Sequence, residues 1–459
     1  MSAPPPSVSV AIVGGGITGL VAAYELQRRG RRDFVLLEAD SRLGGKILTE
    51  HHDGFLLEAG PDSFVSFKPA ALELCRELGL EERLQGTRGP VKSLVRREGR
   101  LHALPTGLTG LAPQRLRPLL TTRVISLRGK ARAGLELFLP RRRDGRDESV
   151  AEFATRRFGR EVYDWAIEPL LAGIHAADGE ALSVNACYPT LVDMERTRGS
   201  ILRQALGAMS AGRRGAPSPF MTLAGGTSEL VEAIARTLPA GSVRTGVAVR
   251  SVNQGERYRI TLHDGASFDA DTVIVTTPAH TASRLLGSLD RELAQRLSAI
   301  PFASTATVSL GYRRTEIAHP LEGSGYVSPR AEGGAVVACT WTSSKFAGRS
   351  PEGHVLLRVF LGRAGIEEIV AAEDGRLIGT ARDEVRQTMG VTATPRLVRV
   401  HRWPMGIPQY NVGHLERVAA IEAGVARHPG LIVTGASYRG AGLPDCIDVG
   451  RAAAHAAGS

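Results

Sequence analysis

The feature that most narrows the folds open to this chain lies in its first forty residues. Val8 to Val13 is an almost unbroken apolar run, which predicts a buried parallel strand. It passes directly into Gly14-Gly15-Gly16-Ile17-Thr18-Gly19, a GxGxxG run. Leu20, Ala23, Tyr24 and Gln27 then recur at helical spacing, with Gly30 as the stop. A second apolar strand, Phe34 to Leu37, ends in Glu38 and Ala39. Each part has a physical task in dinucleotide binding. Gly14 permits the tight turn, Gly16 lets the backbone approach a pyrophosphate, and Gly19 lets helix and strand pack closely. The helix N-terminus offers free N–H groups and the positive end of its dipole to phosphate. A carboxylate at Glu38, 19 residues beyond Gly19, accepts hydrogen bonds from ribose hydroxyls and disfavours a 2′-phosphate. A GxGxxG run alone is equally a Gly-rich turn. The ordered succession of strand, glycines, helix, strand and acid is what selects the dinucleotide fold.

The motif does not choose between NAD and FAD, but the next residues do. Ser41-Arg42-Leu43-Gly44-Gly45-Lys46 places an Arg within reach of phosphate and a Gly pair where a ligand can come close to the backbone. This run resembles the RxGG extension of the flavin amine oxidase superfamily. Further segments sharpen the likeness: LEAGPDSF around Gly60, Pro61, Asp62 and Ser63; LLAGIHAAD around Gly173 and His175; WPMGIPQYNVGH from Trp403; and GASYRGAGLPDCI from Gly435. From about residue 8 to 455 the chain is similar to the protoporphyrinogen and coproporphyrinogen III oxidase family. The resemblance implies FAD held non-covalently at Gly14, Gly15, Gly16, Ile17, Thr18, Gly19, Glu38, Ala39, Arg42, Gly45, Lys46, Gly60, Pro61, Asp62, Ser63, Val249 on the adenine side, Trp403, Gly435, Ala441, Gly442 and Leu443. It implies oxidation of a porphyrinogen to a porphyrin for haem biosynthesis. Hydride passes to flavin N5, and O2 takes the electrons with release of H2O2. No metal is required, and no protein group is singled out as catalytic, because the cofactor carries the chemistry. His175 stands where the family has Tyr and is read as shaping the substrate pocket rather than as a base. Cys446 is read as a packed thiol.

A length of 459 residues calls for more than one domain. The expected fold class is α/β: a Rossmann-like FAD-binding domain interleaved with an α+β substrate domain that has a mixed sheet and a helical basic region. The expected segments are 1–87, 220–290 and 403–459 for the FAD domain, 291–402 for the substrate sheet, and 88–210 for the basic helical part. Val243 to Val252 reads as one strand, and residues 210–219 as a polar loop. Between Arg88 and Arg146 there are fifteen Lys/Arg and three Asp/Glu, a local net of +12 in a chain of net +10. This block can be a solvated face, a propionate-binding surface or a peripheral membrane contact. It lacks interleaved aromatics and matches no nucleic-acid motif, so nucleic acid is not an expected partner. An amine oxidase or carotenoid desaturase is the competing enzyme class; an amine site needs an aromatic cage, and only 5% of residues are aromatic.

Four scattered cysteines without a CxxC pair predict reduced thiols and a cytoplasmic location, with peripheral contact on the inner membrane face at most. The Pro-rich start lacks the basic-then-apolar pattern of a secretory signal. Expected partners are a porphyrinogen, O2 and a ferrochelatase that takes the product. The choice of porphyrinogen rests on the strand before Leu101-His102-Ala103-Leu104-Pro105. Family members that use protoporphyrinogen IX often carry an Arg there for a propionate; here Ser93 holds the place, after Lys92. Lys is a point charge that does not replace a bidentate Arg fork. The expectation is therefore coproporphyrinogen III, with protoporphyrinogen IX as the alternative.

Overall fold

The computed structural model describes residues 7–89, 92–104, 108–109, 112–113, 121–204 and 218–458. The chain begins with β1 (Ser7–Val13), α1 (Ile17–Arg28) and β2 (Phe34–Leu37), then a hairpin β3 (Thr49–His52) and β4 (Phe55–Glu58), then α2 (Ala70–Glu77). It leaves for a second layer through a hairpin β5 (Ser93–Arg97) and β6 (Arg100–Ala103), followed by helices that include α3 (Leu127–Gly134), α4 (Val150–Phe158) and α5 (Glu168–His175). It returns with α6 (Ser228–Thr237), β7 (Val243–Arg244), β8 (Val249–Gln254), β9 (Tyr258–Leu262) and β10 (Ser267–Val275). The second layer resumes with β11 (Phe302–Arg313), β12 (Gly325–Val327), β13 (Val336–Trp341), β14 (His354–Leu361), α7 (Asp374–Met389) and β15 (Leu397–Pro408). Last come β16 (Leu431–Val433) and α8 (Leu443–Ala457), back in the first layer.

The first sheet runs β7-β2-β1-β10-β9-β8, with β16 also on β10. β1 lies parallel to both β2 and β10, with Val13 opposite Leu37 and Val275, so three strand ends converge where the glycine run begins. Both faces are covered, which explains why β2 and all of β1 from Val10 onward are apolar. On one face α1 crosses α8 very closely: a Cβ at Gly450 would lie 2.6 Å from the Thr18 carbonyl oxygen. The N-terminal and C-terminal glycine motifs are thereby locked together.

The second sheet is mixed, in the order β15-β11-β14-β13-β12-β5-β6, with β12 and β5 its parallel pair. One face buries Val308, Leu310, Leu357, Val359 and Trp341 against Leu377, Ala381 and Val385 of α7. Because side chains alternate along a strand, the other face carries Thr307 and Ser309, Arg358 and Phe360, Val327, Ser93 and Val95. That face turns toward the first layer and α5.

Three expectations are corrected. The basic block is not helical at its start: residues 93–103 form the β5–β6 hairpin, because Ser93 and Val95 alternate with Leu94 and Arg96 at strand spacing. The run from Val243 to Val252 is two strands, parted by a turn in which Gly246 has φ +70° and its N–H binds the Asp40 carbonyl. The boundary at 402/403 falls within β15, which continues to Pro408, so Trp403 belongs to the substrate sheet. Most of the expected polar loop, residues 210–217, lies outside the described residues, as does Pro105 of the LHALP turn.

Candidate flavin and substrate site

The site is built on backbone-to-backbone contact. Gly14, at φ +112°, makes the turn off β1, and a Cβ at Gly19 would stand 2.0 Å from the Gly14 carbonyl oxygen. Gly44 N–H binds the Gly15 carbonyl at 2.8 Å, which lays the Gly pair over the first turn. A Cβ at Gly60 would meet the Lys46 carbonyl oxygen at 1.8 Å. Three loops, 14–19, 44–46 and 59–63, thus stack at distances that side chains would forbid. At Gly16, the N-cap of α1, a Cβ would meet no protein atom, and no side chain caps the helix. Free N–H groups, a positive helix end and an unobstructed Gly are what a pyrophosphate requires. Gly442 is likewise an N-cap of α8 without a side-chain cap. The residues present fit a dinucleotide flavin.

Glu38 accepts from Gly15 N–H at 2.6 Å and from Asp40 N–H at 2.8 Å, so it orders the glycine loop. Val247 N–H binds the Glu38 carbonyl, which brings the turn before Val249 alongside Glu38 and Ala39. These distant residues meet at one side of the glycine loop. Arg42 donates to the carbonyls of Leu43 (3.3 Å), Gly45 (2.6 Å) and Ile47 (3.1 Å). It holds the Gly-pair loop from within. Burial pushes the Lys46 ammonium below its usual pKa. Burial pushes the Cys446 thiol up to about 11, so it stays protonated. Thr18 and Gly435 lie together, with Gly435 against Thr276 at the end of β10.

The turn after β4 is held from the second layer by Trp403 and by two residues that sequence reasoning missed, Arg358 and Lys345. Arg358 on β14 donates to the Ala59 and Gly60 carbonyls at 2.8 Å each, and Trp403 Nε1 donates to Ala59 at 2.8 Å. Pro61 accepts from Thr227 Oγ1 at 3.1 Å. Lys345 Nζ binds both Asp62 oxygens, at 3.0 and 2.9 Å, and Ser63 Oγ at 3.3 Å. Asp62 and Ser63 are therefore engaged with protein partners. Burial alone would raise the Asp62 pKa, but the Lys345 and Arg358 charges outweigh it and hold it at about 2. A lone Arg in the apolar run His354 to Leu361 was the signal available for Arg358; an apolar strand keeps a charge only where it has partners.

Ser93 opens β5 opposite Gly325, on the face turned toward α5, and Lys92 beside it is exposed. Gly173 approaches Val327, the cross-strand neighbour of Val95: a Cβ there would lie 3.2 Å from the Val327 side chain. His175, at the end of α5, contacts Tyr188 Oη through Nε2 at 3.1 Å, and its carbonyl accepts from Gln409 Nε2 at 3.1 Å. Burial, aided by the Lys68 ammonium, lowers the His175 pKa to about 4, so the ring is neutral near pH 7. Lys68 pairs with Asp445 at 2.6 Å, at the start of α8. The structure thus gathers His175, Lys68 and the α8 N-terminus at one place, with Gly173 and Ser93 toward the sheet.

These features define a flavin-dependent oxidoreductase with a substrate sheet facing a dinucleotide site. A model of the flavin containing amine oxidoreductase family matches residues 17–457, and the chain belongs to this family. Within it, the chain belongs with the porphyrinogen oxidases. It is 37% identical to a coproporphyrinogen III oxidase of Bacillus subtilis, over 97% of this chain and 96% of that protein. It is 36% identical to one from Propionibacterium freudenreichii (98% and 91% covered) and 32% identical to human protoporphyrinogen oxidase (97% of each). An Exiguobacterium protein of known crystal structure superposes with a TM-score of 0.87 at 31% identity, covering 99% of both chains.

Replacing Lys345 with Met leaves the Asp62 carboxylate half-buried without its counter-ion. Asp62 has a folded pKa below its ordinary 3.8, so the pair contributes stability above about pH 4, lost as pH falls toward 2. The variant is expected to lose about 2–4 kcal/mol at pH 7 and to show a flatter acid limb. Chemical denaturation of both proteins from pH 2 to 7 measures this; an unchanged acid limb refutes it.

Proposed function

We propose that this chain is an FAD-dependent oxidase that converts coproporphyrinogen III to coproporphyrin III. Protoporphyrinogen IX is the second substrate to test. When bound, the flavin supplies the hydride acceptor for each two-electron oxidation, and O2 receives the electrons as H2O2. The chain's residues bind and orient. The α1 and α8 N-termini, with Gly14, Gly15, Gly16, Ile17, Thr18, Gly19, Gly435, Ala441, Gly442 and Leu443, hold phosphates and ring. Glu38, Ala39 and Val249 hold the adenosine, and Arg42, Gly45, Lys46, Gly60, Pro61, Asp62, Ser63 and Trp403 shape the ring site. A neutral His175, with Gly173, Lys92 and Ser93, lines the substrate side.

The observation that carries the substrate reading is Ser93, which sits on the sheet face turned toward α5, where relatives that use protoporphyrinogen IX carry a propionate-binding Arg. Without that bidentate fork, the site lacks the contact that would single out a propionate of protoporphyrinogen IX. The Bacillus subtilis and Propionibacterium freudenreichii relatives are coproporphyrinogen III oxidases; the Exiguobacterium protein bears the name of a protoporphyrinogen oxidase. The test is kcat/KM for both porphyrinogens, read by product fluorescence. A preference for coproporphyrinogen III of about tenfold is expected, or roughly 1.4 kcal/mol in transition-state binding. The reverse preference overturns the substrate, and inactivity with both overturns the function.

Attachment of the flavin is non-covalent in this reading, because the nearby thiol of Cys446 is buried and protonated. Acid precipitation should leave colourless protein and about one FAD per chain in solution; yellow precipitate refutes it.

No helix among the described residues is long and apolar enough to cross a membrane. The reading places the enzyme in the cytoplasm, in peripheral contact with the inner membrane face, and passing its product to a ferrochelatase. Much of the basic block is used internally: Arg142 pairs with Asp144 and Glu148, and Arg132 donates to three carbonyls at the end of α4. The surface left for lipid is α3 and the adjoining residues 135–141, where Leu127, Leu135 and Phe138 are exposed and Phe138 shares a groove with Arg141, Arg198 and Arg203. Sedimentation with phosphatidylglycerol vesicles should be salt-sensitive and should fall in a Leu127→Glu, Phe138→Glu variant. Binding unaffected by both refutes this surface.

A further inference from the structure

The face of the second sheet beneath the β3–β4 hairpin contains buried polar groups that packing does not explain. Thr307 on β11 stands directly opposite His401 on β15. Thr307 is 2% exposed and its Oγ1 has no hydrogen-bond partner; His401 Nδ1 is also buried and without a partner. Ser309, two residues along the same face, has an equally unpartnered Oγ. His401 Nε2 lies 3.2 Å from Glu50 Oε2 on β3, and the Glu50 side chain is 37% exposed against 12% for His401. From the interior outward the order is Thr307, His401, Glu50, solvent. Cross-strand partners have Cα atoms only about 5 Å apart, a separation whose side-chain polar atoms a single water can link.

The inner end of this file adjoins the flavin site. Trp403, two residues beyond His401 on the same face, and Arg358, opposite Ser309 on β14, are the donors that hold the Ala59–Gly60 turn. Among the described residues, Glu50 on β3 pairs with His401, and the charged or titratable groups next along the same face are His52 on β3, Arg399 on β15 and Arg358 on β14. Arg399 is engaged with His52 at 3.0 Å, and Arg358 with the turn carbonyls. Glu50 is the acceptor open to solvent.

We propose that Thr307, His401 and Glu50 form the proton path between the flavin site and solvent. This rests on the porphyrinogen oxidase reading. Each two-electron oxidation removes a hydride from a bridging carbon and releases a proton: over the three steps two protons come from pyrrole nitrogens and one from the fourth bridging carbon. The N–H or C–H bond breaks, and its electron pair stays with the ring as the new double bond forms. The proton then leaves through a polar exit. A water held by Thr307 Oγ1 passes it to His401 Nδ1, while Nε2–H gives one to the Glu50 carboxylate, which releases it to solvent. A flip of the imidazole restores the first tautomer. The same file runs inward when the return of two electrons to O2 takes up a proton to make H2O2.

The experiment uses the flavin-loaded protein and the variants His401→Phe, His401→Gln and Thr307→Val. Flavin absorbance reports an intact site. His401→Phe is expected to slow turnover about tenfold or more at pH 7, the usual reach of a positioned proton carrier. Added imidazole should restore part of the rate, and the solvent deuterium isotope effect on turnover should grow. Thr307→Val, nearly the same in shape, should slow turnover severalfold with the same enlarged isotope effect. Turnover within twofold of the parent in both positions overturns the proposal. So does a loss that imidazole leaves unrescued with an unaltered isotope effect. If His401→Phe fails to hold flavin, His401→Gln and Thr307→Val decide by the same criteria. Reoxidation of dithionite-reduced protein by O2, followed in the same variants, needs no porphyrinogen. It judges the path even if the parent oxidises neither porphyrinogen, an outcome that overturns the functional reading alone.

Discussion

Everything in this structure depends on backbone approaching backbone at three stacked glycine loops. Gly19 lies against the Gly14 carbonyl, the Gly44–Gly45 loop lies on Gly15 and Gly16, and Gly60 lies against the Lys46 carbonyl. No side chain fits at these contacts, and a methyl group at Gly60 would overlap the Lys46 oxygen outright. The stack puts helix N-termini and free N–H groups where a pyrophosphate can be held by the main chain. The second sheet then has to reach the outermost loop, and Arg358, Trp403 and Lys345 do so.

That reach explains why the two layers alternate along the chain. The 59–63 turn belongs to the dinucleotide layer, yet its carbonyls and Asp62 are satisfied from β14, β15 and the segment before β14. Arg358 is 3% exposed; a buried guanidinium is tolerated because two carbonyls accept from it and Asp62 and Glu58 offset its charge. Flavin side and substrate side are thus joined by buried charge at the 59–63 turn.

Strong local codes made the N-terminal unit legible. β1, the glycine run, α1, β2 and Glu38 occur as the apolar runs and spacing indicate, because strand burial, the glycine turn and helix start are each written within a few residues. At the C-terminus, β16, the glycine run from Gly435 and α8 repeat the same physics. The basic block was misread at its start. Its arginines dominate the composition, but Ser93, Val95 and Arg97 share one face, and pairing with β12, more than two hundred residues away, makes them a strand. Trp403 was assigned to the wrong layer because a motif marks a neighbourhood and not the sheet that carries it.

The sequence by itself determined the dinucleotide fold, the class of cofactor and the family, since these rest on glycines and apolar runs whose meaning is local. Only the tertiary structure decided which side chains meet. Arg358 with Ala59, Lys345 with Asp62, Lys68 with Asp445, and Thr307 with His401 and Glu50 are separated by tens to hundreds of residues. Their meeting follows from sheet register and from the order of strands. Register is set by long-range packing of both faces at once, and no short window of sequence encodes it.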